Sequence, residues 1–243
     1  MKILKSIVTA LIVGMTPMAS FADDISEARI KELVLEAIRE NPQIVLEAVE
    51  ILRLQDAEAQ AQAQVNILTD QRDLIENDPN APVLGNPDGD VTVVEFFDYN
   101  CPYCRRAMPV VQELLELDPN VRLVYREWPI LGEGSVFAAR AALASRNQGK
   151  YEEFHWAMMG MNGRAEEASV LRIAREIGLD IDQLKADMDA PEVDEHIETT
   201  MRLTQALGFS GTPSFVIGEN LVPGLVGVGE LLDLVEETRE SNQ

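Results

Sequence analysis

Two cysteines stand with two residues between them, as Cys101-Pro102-Tyr103-Cys104, and the chain has no others. Thiols at that spacing close into a small disulfide and reopen, which is the chemistry of thiol–disulfide exchange. As a static staple the pair would do little, because so short a loop constrains the unfolded chain only weakly. A structural zinc site wants four ligands, usually as two local pairs. The remaining candidates, His155 and His196, are far apart in the sequence and form no local pair. Two thiolates suit a soft cuprous ion better, which leaves a copper-binding or metal-handling protein as the alternative to a redox enzyme.

The flanking sequence positions the sulfurs. Val91 to Phe97 is β-branched and aromatic and reads as a buried strand. Arg105 to Leu117 reads as a helix. A strand turning into a helix at Cys101 puts that sulfur at the helix N-terminus, where unpaired N–H groups and the helix dipole favour a thiolate. A helix at about 102–117 and a strand at Val121 to Glu127 come next. Helical segments follow from about Gly134 to Leu207, then a strand at Ser214 to Ile217. A short apolar stretch at Leu221 to Val226 and a last helix at about 229–239 complete the order. Strands separated by helices, with a central helical block, imply an α/β domain with a helical insertion.

Residues 1–22 read as a secretory signal. Lys2 and Lys5 precede a mostly apolar run from Ser6 to Met15, and Ser20-Phe21-Ala22 offers a cleavage site before Asp23. The apolar run is shorter than a membrane span needs, and no cysteine stands near the site to take a lipid. The expected location is the periplasm, where disulfides form. The net charge of −22 argues against nucleic-acid or anionic-lipid partners.

Residues 23–78 have no glycine, cysteine or aromatic residue and read as a helical arm. Asp24 with Glu27 suggests a capping box. Asn41-Pro42 suggests a cap and first turn for a second helix running to about Ile75. Ile44, Glu47, Ile51, Leu54, Glu58, Ala61, Val65, Leu68, Arg72 and Ile75 fall on one imperfect heptad seam. Either the arm is an oligomerising stalk, or it is a long helix packed on its own domain or a partly disordered linker. The turn-rich stretch from Asn77 to Asp90 opens the globular part, taken as residues 79–243 with the insertion at about 134–207.

Glu95, six residues before Cys101 on an apolar strand, is either a buried carboxyl of raised pKa able to pass a proton to or from Cys104, or a strand-end residue reaching solvent. Met158, Met159 and Met161 cluster near His155. Their sulfurs could hold copper, but a helical core is the plainer reading.

The segments Glu95-Phe96-Phe97-Asp98-Tyr99-Asn100-Cys101-Pro102-Tyr103-Cys104 and Gly211-Thr212-Pro213-Ser214-Phe215 resemble the DsbA family of thioredoxin-fold proteins over about Pro82 to Glu237. The arm and the Cys-Pro-Tyr-Cys sequence are closer to its ScsC-like branch. The resemblance implies a thioredoxin fold with an inserted helical cap, a protein thiol–disulfide oxidoreductase or isomerase, and no cofactor or resident metal. Cys101 would be the exposed nucleophile and Cys104 the buried resolving thiol. Pro102 would start the helix, and Tyr103 would tune the thiolate. A cis Pro213 would set Thr212 beside Cys101 to pair with an extended substrate peptide. Implied partners are exported cysteine-containing proteins, a membrane redox partner and, through residues 23–78, two further copies of the chain. DsbA has histidine where this chain has Tyr103. The loss of that charge implies a less stabilised thiolate and a less oxidising disulfide.

Overall fold

The computed structural model describes residues 26–242. The expected signal at 1–22 and Asp24 of the expected capping box lie outside the described residues. The chain divides into two compact units, one ending at Asp56 and the other starting at Ala57.

In the first unit, helix α1 (Glu27–Glu40) is capped by Ser26, whose hydroxyl accepts the Arg29 N–H at 3.3 Å. Its Ile30, Leu33 and Val34 are exposed, as are Ile44, Ile51 and Leu54 further on. Helix α2 (Gln43–Glu76) begins one residue later than expected, because Asn41 closes α1 and Pro42 lies in the turn.

The second unit is built on a five-stranded sheet in the order β1-β3-β2-β4-β5, from β1 (Val83–Gly85), β2 (Val91–Phe97), β3 (Val121–Glu127), β4 (Ser214–Ile217) and β5 (Asn220–Pro223). Strands β2 and β3 run parallel, and every other pairing is antiparallel. Helix α3 (Pro102–Leu117) joins β2 to β3. The insertion after β3 holds α4 (Glu133–Ser145), α5 (Tyr151–Met159), α6 (Glu167–Glu176), α7 (Ile181–Asp187) and α8 (Pro191–Ala206), and α9 (Val228–Ser241) closes the chain. This is a thioredoxin fold with a helical insertion.

Both faces of the sheet are covered, which is why β2 reads as a continuous apolar run. Val91, Val93 and Phe97 of β2 and Leu123 and Tyr125 of β3 pack in the core that includes α3, α5 and α9. Val94, Phe96 and Val124 face the opposite core, with Leu203 and Leu207 near the end of α8. Each fully buried Val or Phe contributes about 1.5–3 kcal/mol.

The second compact unit starts at Ala57, within α2, and Leu68 and Ile75 of the seam are buried in the second core. The end of the arm helix therefore packs on its own sheet, since its apolar positions meet the face bearing Val94, Phe96 and Val216. Strand β1 carries no sequence signal, because three residues between Pro82 and a turn give no alternation to read.

Candidate active site

Strand β2 ends at Phe97, and Asp98-Tyr99-Asn100 lead into Cys101, the N-cap of α3, with Pro102 at the first helical position. The Cys101 N–H donates to the Asp98 carbonyl at 3.0 Å. Strand β4 pairs with β2 so that Phe96 faces Ser214. That register brings the loop before β4 to the end of β2. Thr212–Pro213 is a cis peptide, and the Cys101 Sγ–H donates to the Thr212 carbonyl at 3.1 Å. The contact corrects one expectation. Cys101 is only 5% exposed, against 1% for Cys104. Cys101, expected to be exposed, is covered at the Thr212-Pro213 loop.

The two sulfurs differ sharply in acidity. Cys101 is lowered from 9.0 to about 5, first by the hydrogen bond from the Cys104 thiol. Burial works against this, and hydrogen bonding from the Thr212 side chain and from the Cys104 and Tyr103 N–H groups adds to it. Cys104 is pushed far up by burial, then by its bond to Cys101 and the charge of Glu95. Glu95 shares the inward parity of Val93 and Phe97 and is 2% exposed, so it does not reach solvent. Burial, then the Cys101 charge, raise it to about 8. Tyr103 is 53% exposed, with the Arg106 guanidinium 4.3 Å above its ring. It reaches the sulfur through its backbone.

The model of the DSBA-like thioredoxin domain matches residues 92–236. The chain belongs to that family. A thioredoxin-like oxidoreductase from Silicibacter pomeroyi DSS-3 is 70% identical with a TM-score of 0.69, the match covering 70% of this chain and 98% of that one. A linker-deletion variant of Proteus mirabilis ScsC is 26% identical with a TM-score of 0.66, covering 93% of this chain and 100% of that one. Among curated proteins, the Na(+)/H(+) antiporter NhaA 3 of Salinispora tropica is 33% identical over 137 residues, which is 56% of this chain and 21% of the antiporter. The chain thus matches about a fifth of that relative's length. It is a DsbA/ScsC-like thioredoxin-fold protein of the thiol–disulfide oxidoreductase type, with helices before its core.

Within this DsbA-like frame, several residues around the cysteines escaped the sequence reading. Asp98 accepts the Ile130 and Leu131 N–H groups at 2.8 and 2.9 Å and the Ser135 hydroxyl at 2.8 Å. The Asn100 side chain accepts the Ala165 N–H at 2.8 Å and donates to the Ala165 carbonyl at 3.1 Å. Tyr99 donates its hydroxyl to buried Glu127 at 3.1 Å, as Tyr151 does at 3.0 Å. The Tyr99 oxygen also meets His155 Nδ1 at 3.1 Å, and with its own proton on Glu127 it accepts from that nitrogen. Asp98, Tyr99 and Asn100 therefore tie the segment before Cys101 to the end of β3 and to the insertion. Strand alternation would have found Glu127, since it shares the inward parity of Leu123 and Tyr125. The Asp-x-Asn pattern was a second signal, because both residue types bond neighbouring backbone.

Met158, Met159 and Met161 lie in the core, and burial lowers His155 to about 3. Among the described residues no group of three or more His, Cys, Asp or Glu is placed to hold a metal. A cleft of about 470 Å³ runs beside the cysteines, lined by Tyr103, Ser210 to Pro213 and Pro223 to Leu225. A larger polar cleft of about 570 Å³, between Arg72, Asp90, Glu219 and Glu237, shares no residue with it.

Proposed function

We propose that this protein is a periplasmic thiol–disulfide oxidoreductase that forms or isomerises disulfides in exported, cysteine-containing proteins. The observation that carries the reading is the opposite displacement of the two thiols. One sulfur is an anion at neutral pH and the other holds its proton. In oxidation a substrate thiolate attacks Cys101 Sγ, the Cys101–Cys104 bond breaks, and Cys104 leaves and takes a proton from Glu95. A second substrate thiolate then attacks the substrate sulfur of the mixed disulfide and expels the Cys101 thiolate, a good leaving group because of its low pKa. The substrate is oxidised and the protein reduced by two electrons. In isomerisation the Cys101 thiolate attacks a wrong substrate disulfide instead. The Thr212-Pro213 cleft suits an extended peptide beside Cys101, and a membrane redox partner resets the pair.

Residues 1–22 act as the export signal in this reading. The arm assembles three copies through its exposed apolar positions between Ile30 and Leu54, which raises the local concentration of Cys101 sites around one substrate. Two measurements test the proposal. Limited alkylation of the reduced protein with mass mapping is expected to label Cys101, and preferential labelling of Cys104 overturns the assignment. Light scattering on residues 23–243 and on a chain starting at Ala57, which keeps Leu68 and Ile75 in place, is expected to give an oligomer and a monomer. Two monomers at micromolar concentration overturn the assembly.

A further inference from the structure

Arg105 carries a charge that the mechanism above does not use. It stands four residues after Cys101, one turn along the same helix face, and its N–H donates to the Cys101 carbonyl at 3.2 Å. Its side chain turns back to the loop that carries the nucleophile. Nε donates to the Tyr99 carbonyl at 3.0 Å, and Nη1 donates to the carbonyls of Met161 at 3.1 Å and Gly163 at 2.7 Å. All three acceptors are neutral. Nη2 is buried without a hydrogen-bond partner. Arg126, Arg140 and Arg239 each pair with a carboxylate. Among the described residues Arg105 has no such pair.

The other ionisable groups that bear on Cys101 and Arg105 include Cys104 on α3, Glu95 on β2, Asp98 in the loop and Arg164 in the insertion, while Arg106 turns its guanidinium over the exposed Tyr103 ring. Glu95 is mostly protonated at neutral pH. The Asp98 carboxylate is held by three N–H groups, of Asn100, Ile130 and Leu131, and by the Ser135 hydroxyl. Asp98 acts on the Arg105 charge ahead of Cys101 but makes no ion pair with it, so the half-buried guanidinium, hydrogen-bonded only to carbonyls, keeps part of its field for the thiolate.

We propose that Arg105 is a positioning residue for the reaction, its charge, free of any salt bridge, helping to stabilise the Cys101 thiolate while its carbonyl bonds tie the Met161–Gly163 stretch to the nucleophile loop. It supplies part of the positive charge that Tyr103 lacks. The inference rests on Cys101 being the nucleophile.

The test follows thiolate ultraviolet absorbance against pH, and equilibration with glutathione, in the full-length protein and in Arg105→Gln, Arg105→Met and Arg105→Lys. Either neutral variant is expected to raise the Cys101 midpoint by about one unit and to shift the glutathione equilibrium about tenfold toward the protein disulfide. Arg105→Lys keeps the charge but loses the fork, and is expected to stay near the parent in both. If all three lower the melting temperature alike and leave midpoint and equilibrium unmoved, Arg105 is a structural clamp and the proposal fails. Cys101→Ser separates the two readings. If the low-pH transition survives in it, the thiolate is not Cys101 and the functional reading falls first. If the transition vanishes in Cys101→Ser yet ignores Arg105, only the present inference is lost.

Discussion

The Cys101 sulfur sits 3.1 Å from the carbonyl oxygen of Thr212, a residue 111 positions further along the chain. The contact follows from strand pairing, since β4 meets β2 with Ser214 opposite Phe96. It joins Cys101 to the backbone of the cleft in one geometry.

The acidity of Cys101 ties the stability of the reduced protein to pH. Its thiol is lowered from 9.0 to about 5 in the folded dithiol form. A depressed acid gives stability that is fully present above the unfolded pKa and is lost as pH falls through the folded one. The oxidised form has no such group. The melting temperature of the reduced form relative to the oxidised form is therefore expected to fall steadily from pH 9.0 to about 5. Thermal unfolding of both forms across that range checks this, and a difference independent of pH would contradict it.

Glu95 acts in the opposite sense. Its folded pKa is raised from 4.5 to about 8, so its burial costs stability increasingly as pH rises between those values. Glu95→Gln is expected to remove that loss and to be more stable than the parent at the alkaline end. It should also slow the step that protonates or deprotonates Cys104, by about a hundredfold if the carboxyl is its proton carrier. The inflection near pH 8 in the exchange rate should vanish with it. Stopped-flow exchange with a model dithiol reads both, and an unchanged profile would remove Glu95 from the proton path.

Local signals revealed most of this site, and long-range packing hid the rest. Strands β2, β3 and β4 and helix α3 were legible because apolar runs end at turn-forming residues on both sides. The inward parity of Glu95 with Val93 and Phe97 carried its burial. The cover over Cys101 was not legible, because it depends on a strand register far along the chain. The seam of α2 had the same ambiguity in another form. An apolar stripe says that something covers it, and here the sheet of the same unit covers Leu68 and Ile75 while Ile44, Ile51 and Leu54 stay exposed. Arg105 gave no signal, since its acceptors are backbone carbonyls of no particular residue type.

Tyr103 reaches the Cys101 sulfur only through its N–H, and its ring is exposed beneath Arg106. Tyr103→His would add a positive ring near the thiolate, and is expected to make the disulfide more oxidising, by about threefold to tenfold in its glutathione equilibrium constant. An unchanged constant, or one shifted toward the disulfide, would count against an electrostatic origin of the difference.

Arg126 gives a stability prediction on the sheet face away from α3. It alternates with Tyr125 and Glu127, so its guanidinium enters the other core, where it meets Asp78 at 2.5 Å just beyond the end of α2. Its Nε and Nη2 are buried without partners. His196 Nδ1 lies 3.7 Å from the same Asp78 oxygen. Burial and the Arg126 charge hold His196 well below its ordinary pKa, so it offers no second cation. Removing Asp78 strands a guanidinium in an apolar core, so Asp78→Ala is expected to cost about 3–5 kcal/mol in urea unfolding. Arg126→Met fills similar volume without a charge, and the double variant Asp78→Ala/Arg126→Met should recover most of that loss, because an apolar pair replaces a buried ion pair at little net cost. Thiol exchange by molecules still folded should be unaffected, since neither residue touches the cysteines. If Asp78→Ala costs under about 1 kcal/mol, the pair behaves as a surface bridge and does not hold the end of α2 to the sheet.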